Sequence, residues 1–79
     1  MNMLRRILLN DIHQRVESIK EEIEACLGDE EEYRDNIPEN LQGSAKHEAA
    51  DQACYNLQEA VDDLEYVLEN ITGAIDGDK

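Results

Sequence analysis

A stripe of apolar residues over the second half of the chain constrains its fold more than any other feature. Ala50, Cys54, Leu57, Val61, Leu64, Leu68, Ile71 and Ile75 are spaced 4, 3, 4, 3, 4, 3 and 4. A strand has period two and cannot gather these positions on one face. An α-helix of 3.6 residues per turn does, so the spacing predicts a heptad helix over about 44–75. Ala53, Ala60, Val67 and Ala74 repeat at seven-residue intervals beside the stripe and widen it to three columns, one of them mostly small. Such a face suits a helix with two neighbours, or with one at close approach. Ser44 after Gly43 is the expected N-cap, and Thr72-Gly73 with Gly77 mark a frayed tail over 76–79.

The first half carries a looser version of the pattern. Leu9, Ile12, Val16, Ile19, Ile23 and Cys26 are spaced 3, 4, 3, 4 and 3, and Leu4, Leu8 and Leu27 broaden the stripe. Asn2 and Asn10 are both candidate caps. Gly28 follows the last apolar position and reads as a C′ residue, which places the first helix at about 3–27. Between Gly28 and Gly43, Asp29-Glu30-Glu31-Glu32 is expected to make one turn of helix. Pro38 is expected at the first position of a third short helix, with Ile37 and Leu41 packed across it. Tyr33, Ile37 and Leu41 would then plug the end beyond the shorter first helix.

The fold class expected is therefore all-α, a single 1–79 domain built as an antiparallel helical hairpin. With Gly28 near Gly43, Ile23 should face Cys54, Val16 should face Val61 and Leu9 should face Leu68. A lone hairpin leaves half of each stripe in water, and 79 residues are few for an independent core. A homodimer forming a four-helix bundle is expected, with Val16, Ile19, Ile23, Leu57, Val61, Leu64, Leu68 and Ile71 as its core and dimer residues.

Charge narrows the function classes. The chain holds 20 acids against 7 bases, a net −13, which excludes a nucleic-acid binder working through a basic surface. No apolar run reaches the ~20 residues of a membrane span. Residues 1–20 sum to +2 and residues 21–79 to −15. The basic start of the first helix should lie beside Glu69, Asp76 and Asp78. Glu21, Glu22, Glu24, Asp29, Glu30, Glu31 and Glu32 crowd the loop end, with Lys20 and Arg34 as the nearest cations. Glu59, Asp62 and Asp63 sit on the outer face of the second helix. Carboxylates three or four positions apart on a helix stand ~5–6 Å from one another, close to the phosphate spacing of a nucleic-acid strand. A solvated face that merely keeps the protein soluble explains the same composition. Tyr55 and Tyr66 fall outside the apolar columns among acids, as interface anchors do or as rings lying along neighbouring side-chain stems.

Chemistry is sparse. Ser44, Lys46, His47 and Glu48 cluster at one helix start, but Ser44 is used as a cap and no oxyanion site or cleft accompanies it. A non-enzymatic protein without cofactor is expected. His13 and His47 fall too far apart to share a metal. The Asp29–Asp35 and Asp76–Asp78 segments lack the D-x-[DN]-x-[DN]-G spacing of a calcium loop, so no metal site is assigned. Cys26 and Cys54 are read as buried thiols offset by about one turn, in a reducing cytoplasm.

The segment Tyr33-Arg34-Asp35-Asn36-Ile37-Pro38-Glu39-Asn40-Leu41-Gln42-Gly43-Ser44, followed by an Ala- and Glu-rich heptad helix, resembles a group of uncharacterised small acidic helical proteins of bacterial phages and mobile elements. The resemblance covers about residues 20–70 and implies a bacterial host cytoplasm as the setting. Small acidic proteins in that setting are often inhibitors of host defence nucleases, nucleic-acid mimics among them. The function expected is an acidic interaction protein that binds a basic, nucleic-acid-handling surface on a protein partner. Its candidate contacts are Glu21, Glu22, Glu24, Glu30, Glu31, Glu32, Glu59, Asp62, Asp63 and Tyr66. The alternative is a structural or regulatory bundle module that pairs with another helical protein.

Overall fold

The computed structural model describes residues 1–77. Two long helices, α1 over Met3–Asp35 and α2 over Ala45–Asp76, pack antiparallel as a hairpin, with a short 3-10 turn over Glu39–Leu41 in the connection. The result is a rod of 59 × 16 × 13 Å with a radius of gyration of 17.8 Å, against ~11.6 Å for a compact chain of this length. Among the described residues there is no strand, and no helix is long and apolar enough to cross a membrane.

Both helix starts follow from their caps. Asn2 takes the role at α1, its side-chain oxygen accepting from the Arg5 N–H at 2.8 Å. Ser44 Oγ accepts from the His47 N–H at 3.3 Å at the start of α2. Each cap satisfies an N–H that the first helical turn leaves without a partner.

The end of α1 differs from the expectation. Gly28 is not its C′ residue; the helix runs through it for seven more residues. Glycine within a helix costs about 1 kcal/mol relative to alanine. The flanking acids are adequate helix formers, and packing of Leu27 on α2 outweighs that cost. What stops the helix is Asn36-Ile37-Pro38. Proline biases the residue before it away from the α region, Asn36 becomes the cap, and the Ile37 N–H turns back to the Arg34 carbonyl at 3.2 Å. The connection is therefore 36–44 rather than 28–43. The short helix expected in the connection is this 3-10 helix, with Pro38 at its N-cap and not its first position, and Gly43 supplies the positive φ of +87° just before Ser44. Ile37 is buried and plugs the hairpin end, whereas Leu41 and Tyr33 stay about half exposed. The Tyr33 ring instead receives Lys46 Nζ 5.7 Å from its centroid. The helices are nearly equal in length, 33 and 32 residues. At the far end α2 is helical through Asp76 with Gly77 as its cap; the rest of the expected 76–79 tail lies outside the described residues.

Because α1 is longer than expected, the register moves. Lys20 Nζ lies 3.6 Å from Glu65 and Arg34 Nη1 3.2 Å from Asp51, so residue i of α1 stands beside residue 85 − i of α2. The expected pairs, such as Ile23 with Cys54, followed 77 − i. The slip of eight residues, about 12 Å along the axis, equals the eight residues that α1 gained from the loop.

The core stripe of α2 is as expected: Ala50, Cys54 and Val61 are buried and Leu57, Leu64, Leu68, Ile71 and Ile75 half-buried. On α1 the stripe is rotated. Val16 and Ile23 face α2, but Ile19 is 49% exposed and Cys26 is exposed; Lys20 and Leu27 take those places, followed by Glu30 and Arg34. Once α1 continues past Gly28, the heptad that stays in register over its whole length is Val16, Lys20, Ile23, Leu27, Glu30 and Arg34. Long side chains fill it by laying their stems along the seam and carrying their charges outward. Leu27, Ile37, Ala50, Cys54 and Val61 form the buried core, all in the loop half of the rod.

Candidate acidic interface

The antiparallel pairing gives the rod four aspects: a back on each helix and two broad sides over the seam. One side is ionic. Lys20 reaches both Glu24, at 3.8 Å, and Glu65. Arg34 bridges Asp35, at 3.1 Å, and Asp51. These carboxylates hold the Arg34 guanidinium above its ordinary value, the Asp35 hydrogen bond contributing most. A shallow recess lined by Leu27, Glu31, Arg34, Asp51, Cys54, Tyr55 and Gln58 opens on this side. Burial pushes the Cys54 thiol up, and Arg34 partly opposes that shift.

The ten candidate contacts do not form one patch. Glu24 is paired with Lys20, and Glu31 lines the recess beside Arg34. Glu30 is half-buried in the seam. Glu21, Glu22 and Glu32 lie on the back of α1, while Glu59, Asp62, Asp63 and Tyr66 lie on the back of α2, facing the opposite direction. The loop-end cluster is thus divided because Asp29–Glu32 belongs to a continuous helix, which spreads four successive acids around its circumference.

The back of α2 is the more uniform surface. From His47 to Gly77 the sequence has eight carboxylates and no Lys or Arg. Asp51 and Glu65 answer cations from α1; Glu48, Glu59, Asp62, Asp63 and Glu69 are exposed. Gln58 Nε2 donates to Asp62 at 3.1 Å, orienting that carboxylate. Tyr55 and Tyr66 are 62% and 66% exposed. They stand eleven residues apart, three turns and ~16 Å along one face. The sequence pattern singled out both rings, with Tyr66 alone among the candidate contacts, and both are exposed on this back.

Helix stability explains only part of where the charges sit. The N-terminal end of a helix favours anions and the C-terminal end cations, by ~0.3–1 kcal/mol each. The first turn of α1 holds Arg5 and no acid, and the run Asp29-Glu30-Glu31-Glu32 lies near its C-terminal end. The last turn of α2 lacks a base, whereas Arg34 in the last turn of α1 and Glu48 in the first turn of α2 do follow the dipole. At the free end, Arg15 pairs with Asp11 at 3.0 Å within α1, and Lys20 of the same basic segment reaches Glu65 on α2. Asp78, the third acid expected there, lies outside the described residues.

Among the described residues no three His, Cys, Asp or Glu side chains converge as metal ligands. His13 lies 3.7 Å from Glu17 on its own helix. Cys26 is exposed and Cys54 buried, both as free thiols; the expectation of two buried thiols holds for Cys54 alone. The chain matches no known protein family, no curated protein and no solved structure.

Proposed function

We propose that this is a non-enzymatic acidic binding protein whose α2 back occupies a basic, nucleic-acid-handling surface of a protein partner. The observation that carries the reading is the run of exposed carboxylates on α2, free of basic side chains and punctuated by Tyr55 and Tyr66. Residues 21–64 hold 14 acids and 2 bases, a net −12, over roughly 25 Å of rod at 1.5 Å per helical residue. That is about one net charge per 2 Å, between the ~1.7 Å of duplex DNA and the ~3.4 Å of a single strand. A rod 16 × 13 Å across offers this charge in a groove built for nucleic acid. The tyrosines add apolar area with a hydroxyl handle, the residue type that most often anchors interfaces. An inhibitor of a host defence nuclease, acting in a bacterial cytoplasm during phage or mobile-element infection, is the biological setting this reading favours.

The test is affinity capture from bacterial lysate with wild-type protein and with Glu59→Lys, Asp62→Lys, Asp63→Lys combined. Basic proteins should be retained by the wild type, displaced by added duplex DNA and by rising salt, and lost with the triple reversal. Capture that ignores both DNA and the reversal refutes the proposal. A second reading, a bundle module pairing with another helical protein, is favoured by the apolar side of the hairpin; pairing through that side would survive high salt.

A further inference from the structure

The side of the hairpin opposite the ion pairs is apolar and uncovered. On α1 it presents Leu8, 54% exposed, Ile19 and the exposed Cys26; on α2 it presents Ala60, Val67 and Ala74. These positions share a side by helix geometry. Ile19 and Cys26 each precede a seam residue, Lys20 and Leu27, by one position, about 100° around α1. In an antiparallel neighbour, Ala60 and Val67, preceding Val61 and Leu68, turn to the same side. The ion-pairing Glu24 and Glu65 turn to the other.

The geometry points to a second copy of this chain as the occupant, docked with its loop beside the free end of the first. Two observations support that choice. The chain exposes 5745 Å², whereas a compact protein of 9.0 kDa exposes ~4,850 Å². The excess of roughly 900 Å² per copy is close to the ~800 Å² that each partner buries in a stable interface. Charge then fixes the direction. In the observed register the free end comprises residues 1–20 and 65–77, with a net −1, while the loop-proximal residues 21–64 carry −12. Parallel rods would set −12 against −12. Antiparallel rods set each acidic end beside a nearly neutral one that offers Arg15.

The apolar side also has the required symmetry. Ile19 and Val67 lie within one residue of the same level in the register, at the middle of the patch. A two-fold axis crossing the rod there stacks α1 on its own counterpart and α2 on its counterpart. Ile19 meets the partner's Ile19, Val67 meets the partner's Val67, and Ala60 meets the partner's Ala74. Small residues over α2 permit the close approach. The backs of both helices remain open, so this inference stands or falls independently of the acidic reading above.

Sedimentation of the full chain at tens of micromolar should give a dimer, and Ile19→Glu should weaken association at least tenfold while circular dichroism stays helical. Tyr66→Glu, on the open back, should leave the dimer intact. Orientation is read by oxidative cross-linking in a Cys26→Ser background. Ile19→Cys should link to itself, because the axis passes beside it. A monomeric wild type overturns the proposal. So does a dimer in which Ile19→Cys links to Val67→Cys but never to itself, the signature of parallel rods. If Ile19→Glu unfolds, the wild-type mass and the cross-link pattern still decide.

Discussion

Replacing Gly28 with alanine tests the path of the chain through the point where sequence and structure part. If Gly28 were a left-handed C′ residue, alanine would strain the backbone and cost about 1 kcal/mol or more. In the observed helix the sign reverses. Gly28 lies inside α1 with ordinary helical φ, is exposed, and a Cβ built there meets nothing within 4 Å. Alanine then gains the helix-propensity difference of about 0.8–1 kcal/mol with no steric charge against it. Unfolding entropy near ~2.1 cal/mol/K per residue gives ~0.17 kcal/mol/K for 79 residues, so the midpoint should rise by about 5–6 °C. The assay is a thermal melt followed at 222 nm, at a fixed chain concentration because self-association would raise the midpoint by mass action. A urea titration should show a higher midpoint at unchanged slope. A lowered melting temperature would refute a continuous α1 and, with it, the register derived from Lys20–Glu65 and Arg34–Asp51.

Three further outcomes follow from other residues. Gly43→Ala should destabilise by about 1 kcal/mol in the same melt, since φ is +87° there and an L side chain is strained whatever space surrounds it. Cys26 should react with Ellman's reagent within minutes in folded protein, while the buried Cys54 should react only as the hairpin opens. Because burial raises the Cys54 thiol above its ordinary value of 9.0, the folded state holds that proton more tightly than the unfolded one. Its contribution is full below pH 9 and declines as the pH rises toward the folded value. The wild type should therefore lose more stability between pH 8 and pH 10 than Cys54→Ala does.

The seven-residue rhythm from Ala50 to Ile75 determined α2 almost completely, because a strong amphipathic pattern with a good N-cap needs no tertiary information to choose its face. The all-helical hairpin also follows from sequence, since two such helices with a short connection can only fold back on one another. The end of α1 does not. Gly28 carries a local stop signal worth about 1 kcal/mol, and only the burial of Leu27 and the docking of Arg34 on α2 override it. That single choice moved the register by eight residues, exchanged Ile19 and Cys26 for Lys20 and Leu27 in the seam, and dispersed the loop-end acids around a helix. Sequence alone specified how much negative charge the protein carries. Which carboxylates share a surface was decided by the angle at which α1 meets its partner, a property of packing that no linear pattern encodes.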